Sequence, residues 1–246
     1  MTDIFNKKTN FYCKPFRKYL AFTLAEVLIT LGIIGIVAAM TIPTLSQKTQ
    51  ERETVSKLKK VFSTLTNAYN LAVNEDGTPD TWNLDANLSA TGATNILNEL
   101  APHLNITKNC GTTEVGCFPE GTGDAQSNSA SKVILSDGTM VSFVVWSPTC
   151  NQDYGSGALA NMCAFFETDI NGFKKPNAVG KDRFRFYITK EAIVPYGTAT
   201  STEMSFANNC AKSHGGLSCT AWVIYNENMD YLHCTDLSWS GKTKCD

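Results

Sequence analysis

Four aspartate and asparagine side chains are grouped with turn residues between residues 169 and 182. Asp169, Asn171, Asn177 and Asp182 carry the hard oxygen atoms that Ca²⁺ prefers as ligands. Their spacing is not that of an EF-hand, because the third acidic position and the closing Glu are absent. Asn171 is also followed by Gly172, a pair typical of a hairpin turn. The segment therefore predicts either a calcium site or a turn stabilised by Asp and Asn hydrogen bonds.

Nine cysteines are many for a cytosolic chain, whose thiols are kept reduced, and ordinary for a protein that folds in an oxidising compartment. Cys13 stands near the N-terminus, and the other eight lie in the C-terminal part of the chain. Zinc binding is the alternative to disulfides, but no C-x-x-C spacing is present. We predict disulfides, and the order of the cysteines suggests four short loops, although eight cysteines allow many other pairings. The suggested pairs are Cys110 with Cys117, Cys150 with Cys163, Cys210 with Cys219, and Cys234 with Cys245.

The remaining chemistry-bearing residues form no catalytic pattern. His103, His214 and His233 are scattered and lack the spacing of paired metal ligands. The segment from Ser240 to Thr243 is similar to the end of a phosphate-binding loop, but Asp236 stands where the first Gly of that loop should be. No G-x-S-x-G nucleophile elbow is present. The sequence therefore predicts a protein that is not an enzyme and requires no cofactor.

One apolar segment, Leu20 to Ile42, contains a single charged residue, Glu26. As a helix this segment is long enough to cross the roughly 30 Å hydrocarbon core of a bilayer. The basic residues before it predict, by the positive-inside rule, a cytoplasmic leader and an exported C-terminal part. These residues are Lys7, Lys8, Lys14, Arg17 and Lys18.

The charge of the chain is unevenly distributed. The formal net charge is -2, and the N-terminal segment is basic, so the rest of the chain is acidic. An acidic surface repels the phosphate backbone of a nucleic acid. We therefore expect no direct nucleic-acid binding.

Two simple interpretations of the apolar segment compete with a more specific one. A cleaved secretory signal would have small residues near its end, as at Val37, Ala38 and Ala39, and an uncleaved signal anchor would need only the apolar length. Neither interpretation accounts for Glu26, because a carboxylate at the centre of a membrane helix costs about 2.5–3.5 kcal/mol on insertion scales. The carboxylate indicates that the segment has a further role.

The sequence from Ala21 to Ile29, which follows a basic leader, resembles the prepilin cleavage and methylation motif of type IV pilins and type II secretion pseudopilins. The resemblance implies that a prepilin peptidase cuts between Ala21 and Phe22 and methylates the new amine of Phe22. The residue before the cut is usually Gly in that family, and here it is Ala21. The implied partners are other pilin or pseudopilin subunits, the peptidase, an inner-membrane assembly platform and membrane lipid. Helix-softening positions of the family correspond to Gly35 and Pro43, and Gly32 adds another flexible point.

Glu26 has a physical role in this interpretation. Cleavage creates a charged amine on Phe22, in an apolar environment and near the carboxylate of Glu26. In a filament, Glu26 of one subunit can pair with the Phe22 amine of its neighbour, so that both charges are compensated only in one axial register. The packing itself is expected from the apolar residues Leu24, Val27, Leu28, Leu31, Ile34 and Ile36.

Apolar residues continue at helical spacing after Pro43, from Val55 to Ala72, and Asp76-Gly77-Thr78-Pro79 predicts the end of that helix. One helix is therefore predicted from Thr23 to Glu75. A shorter helix is predicted within residues 86–101. Beyond Pro79, β-like runs between turn signals predict an antiparallel sheet. The runs are Lys132 to Leu135, Met140 to Trp146, Cys163 to Thr168, Phe184 to Thr189 and Ala221 to Tyr225.

These elements predict an α+β fold in which a long N-terminal helix, with a transmembrane half and an amphipathic half, packs against an antiparallel sheet in a disulfide-stapled head. The predicted parts are a leader (residues 1–21), a transmembrane or filament-core helix (22–43), the amphipathic half (44–77) and an exported head (78–246). We expect a subunit of a type IV pilus or a type II secretion filament, anchored in a bacterial inner membrane. The alternative is a membrane-anchored binding or adhesion module.

Overall fold

The computed structural model describes residues 22–112, 116–119, 123–211 and 216–246. The chain divides into two compact units, Met1–Gln47 and Lys48–Asp246. The predicted leader, with Cys13 and with Ala21 before the predicted cut, lies outside the described residues.

The first helix, α1, runs from Leu24 to Asp76 and includes Pro43. Its bounds agree within one residue with the helix predicted from Thr23 to Glu75. Residues 24–45 of this helix expose their large apolar side chains on every face, whereas a stripe from Val55 to Ala72 is buried. A helix that is apolar all round requires lipid or neighbouring helices to cover it.

A six-stranded antiparallel sheet forms the centre of the Lys48–Asp246 unit, with the strands in sequence order. Four of the strands confirm predicted runs, and the first and last were not predicted. The first has a polar centre, with Lys108 and Asn109 exposed at the sheet edge, and the last has three residues. The strands are β1 (Ile106–Gly111), β2 (Ser131–Leu135), β3 (Met140–Val145), β4 (Met162–Asp169), β5 (Arg183–Thr189) and β6 (Ile193–Pro195).

Short helices join and cover the strands. The predicted helix within residues 86–101 is α2 (Ala90–Leu100), which begins after Ser89, whose hydroxyl accepts a hydrogen bond from Gly92 N at 3.1 Å. The other two α-helices are α3 (Phe206–Asn209) and α4 (Thr220–Asn226). Single 3₁₀ turns occupy Pro79–Thr81, Ala101–His103, Gly123–Gln126, Gly157–Asn161, Leu217–Cys219 and Asp230–Leu232.

The strand predicted from Ala221 to Tyr225 is wrong, because these residues form α4. A short apolar run does not distinguish a strand from a buried helix, because either element carries apolar side chains on all sides when it is fully buried. Here the helical form places Trp222 on Phe206, with ring centroids 4.1 Å apart. Ala221 N donates to Tyr196 O at 2.8 Å, which fixes the start of the helix beside the end of the sheet.

One face of the sheet packs against the C-terminal part of α1. Leu58 and Leu65 are fully buried there, and Phe62 stacks on Phe186 of β5 at 5.5 Å. Tyr69 donates its hydroxyl to Thr189 O at 3.0 Å. The amphipathic stripe and the predicted α+β class are therefore confirmed.

The opposite face of the sheet is buried beneath loops and short helical turns. The side chains on this face form a second buried cluster, which includes Phe165 and Tyr187. The ring of Tyr187 stacks on that of Tyr196, with centroids 3.8 Å apart. Every residue of β4 is buried, because both faces of this central strand are covered.

Four disulfides connect the eight cysteines that follow α1, in the pairs that their order suggests. The Cα–Cα distances are 6.1 Å for Cys110–Cys117, 4.0 Å for Cys150–Cys163, 5.0 Å for Cys210–Cys219 and 5.9 Å for Cys234–Cys245. Each bridge closes a short loop, and the second joins the loop at Cys150 to Cys163 in β4.

Candidate processing and assembly site

The N-terminus of α1 is closed by two reciprocal side chains, Thr23 and Glu26. Glu26 Oε2 accepts hydrogen bonds from Thr23 N and Thr23 Oγ1, each at 2.8 Å. Glu26 N in turn donates to Thr23 Oγ1 at 3.2 Å. This is a capping box, in which a Thr at the N-cap and a Glu three residues later satisfy backbone N–H groups that a helix start leaves without partners.

Sequence reasoning missed this local role of Glu26, although the T-x-x-E spacing before an apolar run was available as a signal. The carboxylate also lies at the end of the helix where negative charge is favoured by the helix dipole. Two roles of Glu26 must therefore be separated: the start of α1, and the pairing of charges between subunits.

The residues around Glu26 are exposed in the described chain. Phe22 is 84% exposed and Leu24 is 78% exposed. Thr30 and Thr41 donate their hydroxyls to the carbonyls of Glu26 and Val37, each at 2.9 Å, so these side chains bond within the helix. The Glu26 carboxylate is then the only formal charge between residues 24 and 45.

The three predicted flexible positions all lie inside α1. A Cβ atom added at Gly32 or Gly35 would meet no atom within 4 Å, so neither glycine is required by contacts within the described chain. Pro43 has no N–H to donate to the carbonyl of Ala39, one turn earlier. The flexibility of this part of the helix stays a prediction.

Within the described residues, α1 is the one helix whose length and composition would allow it to cross a membrane. The apolar stretch of α1 is unburied. A signal sequence near an N-terminus has the same length and composition.

The polar cluster between Asp169 and Asp182 is held by side-chain hydrogen bonds to the backbone. Asp182 accepts from Asn177 N at 2.8 Å, from Ala178 N at 2.6 Å and from Asn171 Nδ2 at 3.2 Å. Asp169 Oδ1 accepts from Asn171 N at 3.2 Å. These bonds are the Asx-type turn that was one of the two predictions for this segment.

The oxygen atoms of these four side chains differ in whether they already accept hydrogen bonds. Asp169 Oδ2 and Asn171 Oδ1 are buried without a hydrogen-bond partner, while both oxygens of Asp182 are engaged by N–H groups. Calcium takes about six to eight oxygen ligands. Among the described residues, no group of three or more His, Cys, Asp or Glu side chains is close enough to hold a metal. Calcium binding by Asp169, Asn171, Asn177 and Asp182 therefore stays a prediction.

The buried Asp169 carboxyl should make stability depend on pH. Its burial, together with the nearby charge of Asp182, raises its pKa from 3.8 to about 7. Between these values the folded protein holds more protons than the unfolded chain, so the free energy of unfolding should fall as the pH rises. The expected slope from this one group is about 1.4 kcal/mol per pH unit. Urea unfolding over a pH series, with a chelator present, measures this slope.

Asp169→Asn is the control for this prediction, because an amide does not titrate. We expect the variant to lose the fall in stability towards pH 7, and to be more stable than the parent above that pH. An unchanged pH slope in Asp169→Asn would show that other groups produce it.

Two of the three histidines lie near carboxylates. His233 Nε2 is 2.9 Å from Glu51 Oε1, and His103 Nε2 is 3.4 Å from Glu75 Oε2. His214 lies outside the described residues. These two contacts lie between α1 and, respectively, the C-terminal segment and the 3₁₀ turn Ala101–His103.

The fold and the N-terminal site together define a class of protein: an α+β, disulfide-linked unit that follows a long apolar helix with an acidic side chain in its first turn. The family described as the prokaryotic N-terminal methylation motif matches residues 16–42. The match agrees with the resemblance to type IV pilin-like, prepilin-type proteins and supports a pilin-like precursor. The motif and the apolar helix fit a membrane-anchored pilin. No curated protein and no solved structure matches the chain significantly.

Proposed function

We propose that this chain is a structural subunit of a type IV pilus or a type II secretion filament: a pilin, a minor pilin or a pseudopilin. The observation that carries the proposal is the methylation motif at residues 16–42, with Glu26 as the only charge in the exposed apolar part of α1, residues 24–45. Pilin-like proteins of this kind are structural and typically not enzymes, so the proposed role is assembly.

Assembly begins with removal of the leader between Ala21 and Phe22. The new amine of Phe22 carries a positive charge two residues before the first turn of α1. The capping hydrogen bonds of Glu26 engage Oε2. A carboxylate can accept about four hydrogen bonds over its two oxygens, so one Glu26 can hold the capping box and accept the amine of a neighbouring subunit.

The pairing selects the register of neighbouring helices, and apolar contact supplies the affinity. Removing an ion pair from water costs both partners their hydration, so the pair is favourable only where the two charges meet at hydrogen-bonding distance. The exposed residues Leu24, Leu28 and Leu31 provide the apolar surface that adjacent helices cover.

The proposed topology follows from charge. The basic leader stays in the cytoplasm of a bacterium, α1 begins in the inner membrane, and the disulfide-linked unit lies outside the cytoplasm. In this arrangement the leader meets a prepilin peptidase and the helix meets an inner-membrane assembly platform. The filament partners are copies or relatives of this chain.

Mass spectrometry of the N-terminal peptide of the native protein tests the proposal. We expect a chain that begins at Phe22 and carries one methyl group on its amine. A chain that begins at Met1 would indicate an uncleaved anchor, and one that begins just after Ala39 would indicate an ordinary secretory signal. Either result would contradict the proposal.

A further inference from the structure

A shallow surface pocket of about 360 Å³ lies beside β6 and α4 in the Lys48–Asp246 unit. Three hydroxyl-bearing residues, Ser156, Thr198 and Thr200, line one part of it. Two aromatic residues, Tyr225 and Trp239, line another part. The volume is within the range of about 300–1,000 Å³ that is usual for small-molecule sites.

The hydroxyl-bearing part of the pocket is held by close backbone contacts. Ser156 N donates to Thr200 O at 3.3 Å, and Gly155 pairs with Ser201 in an isolated bridge. Gly155 has φ +149, and a Cβ atom at this position would lie 2.1 Å from Thr200 O. Only glycine permits this approach of the two segments, so the separation of Ser156 from Thr200 is fixed by the backbone.

The aromatic part of the pocket is held in place by contacts of Trp239 with the backbone and with the core. Trp239 Nε1 donates to Gly197 O at 3.0 Å, and the Trp239 ring lies 5.1 Å from that of Trp222 in the core. The rings of Tyr225 and Trp239 are 6.3 Å apart with an interplanar angle of 65°. Tyr225 is 57% exposed, which is unusual for an aromatic side chain with a packed neighbour. The pocket is thus formed before any ligand arrives.

The chemistry of the lining selects the ligand. In the parts of the chain that the structure describes, no charged side chain lines the pocket, which disfavours anions, cations and charged peptides. Hydroxyl groups both donate and accept hydrogen bonds, and aromatic faces pack well against C–H groups. A ligand that matches both features is uncharged, has an apolar C–H face and carries hydroxyls around its edge. A pyranose ring has this structure. The hydroxyls of Thr198 and Thr200 lie 3.2 Å apart and share one hydrogen bond, so one O–H group and several lone pairs remain available to the hydroxyls of a sugar.

We propose that this pocket binds a neutral pyranoside, with the C–H face of the sugar on Tyr225 and Trp239 and its hydroxyls toward Ser156, Thr198 and Thr200. The site would give the exported unit a carbohydrate-binding activity in addition to its proposed role in assembly. The proposal does not depend on filament formation, because every residue in it belongs to the Lys48–Asp246 unit.

Saturation-transfer NMR on the full-length, oxidised protein tests the proposal. The protein is kept in a detergent without a sugar headgroup, and the probes are methyl β-glucopyranoside and methyl β-galactopyranoside. We expect transfer to at least one probe, strongest at the ring C–H protons of one face. Transfer to neither probe, or equal transfer to all protons of the probe, would contradict the proposed binding mode.

Three variants separate the pocket from general surface binding. Tyr225→Ala removes the exposed ring, and we expect affinity to fall at least about tenfold, the equivalent of about 1.4 kcal/mol. Tyr225→Phe keeps the ring and should retain most of the affinity. Phe173→Ala removes a similarly exposed aromatic side chain, 53% exposed and outside the pocket, and should change nothing. Equal loss in Phe173→Ala, or no loss in Tyr225→Ala, would refute the site.

Discussion

Glu26→Gln should abolish assembly of the chain into filaments while leaving its insertion in the membrane unchanged. Gln keeps an oxygen that can accept the hydrogen bond from Thr23 N, and Gln replaces Glu in natural capping boxes. The substitution removes only the charge that would compensate the Phe22 amine of a neighbouring subunit. Leaving one buried charge unpaired costs about 3–5 kcal/mol, more than about a hundredfold in association. Cross-linking between subunits in whole cells, with membrane fractionation of the same cells, measures both properties.

Thr23→Val is the matched control, because it removes the capping hydroxyl and keeps the carboxylate. Loss of an N-cap costs about 1 kcal/mol, so we expect assembly to continue at a reduced level. Mass spectrometry of both variants must show cleavage before Phe22, since an uncleaved chain has no amine to pair. If Thr23→Val fails to assemble as completely as Glu26→Gln does, or if Glu26→Gln assembles normally, then the charge pair between subunits is not what Glu26 provides.

The elements that the sequence predicts well are those whose periodicity is set by a large buried surface. The stripe from Val55 to Ala72 repeats at helical spacing because it packs against the sheet. The turn residues Asp76-Gly77-Thr78-Pro79 that follow it predict the end of α1 to within one residue. The strands β2 to β5 have apolar runs bounded by turn signals, such as Asp137-Gly138 between β2 and β3. The short spacing of the cysteines suggests the pairs that the structure shows, because each pair closes a loop of local chain.

The elements that escape prediction depend on contacts distant in sequence. The run from Ala221 to Tyr225 is compatible with a strand or a helix, and Phe206 and Tyr196 decide in favour of the helix. The edge strand β1 has no apolar alternation of its own. The second core, behind the sheet, is covered by loops and short turns whose sequences carry no periodic signal.

At the candidate assembly site, the sequence motif points to particular residues but does not show all of their contacts. The residue types and their spacing identify Glu26 and Phe22, and the family match at residues 16–42 agrees. The sequence argument assigned Glu26 one role, whereas the geometry gives it a second role in the capping box with Thr23. The motif therefore points to Glu26 without showing every contact that its carboxylate makes.

A buried ion network on β4 and β5 is a further feature that only the register reveals. Glu167 pairs across the strands with Arg185, and Arg183 lies two residues away on the same face. Glu167 binds both guanidinium groups, with Arg185 Nη2 at 2.7 Å from Glu167 Oε2. Arg185 also lies over the ring of Phe165 at 4.2 Å. The side chain of Glu167 is fully buried, and those of Arg183 and Arg185 are nearly so.

Glu167→Ala should therefore destabilise the protein by about 3–5 kcal/mol, because it leaves two buried guanidinium groups without their common carboxylate. Urea unfolding of the full-length, oxidised protein in detergent measures the loss. The matched control is Glu53→Ala, which removes a carboxylate 2.9 Å from Lys57 Nζ on the exposed surface of α1. Water screens an exposed pair of this kind, so it contributes little to stability, and the control should unfold almost as the parent does. Equal losses of stability in the two variants would mean that water reaches the Glu167 network in solution. A carboxylate contributes more at a buried position than at an exposed one only because water is excluded from the buried position.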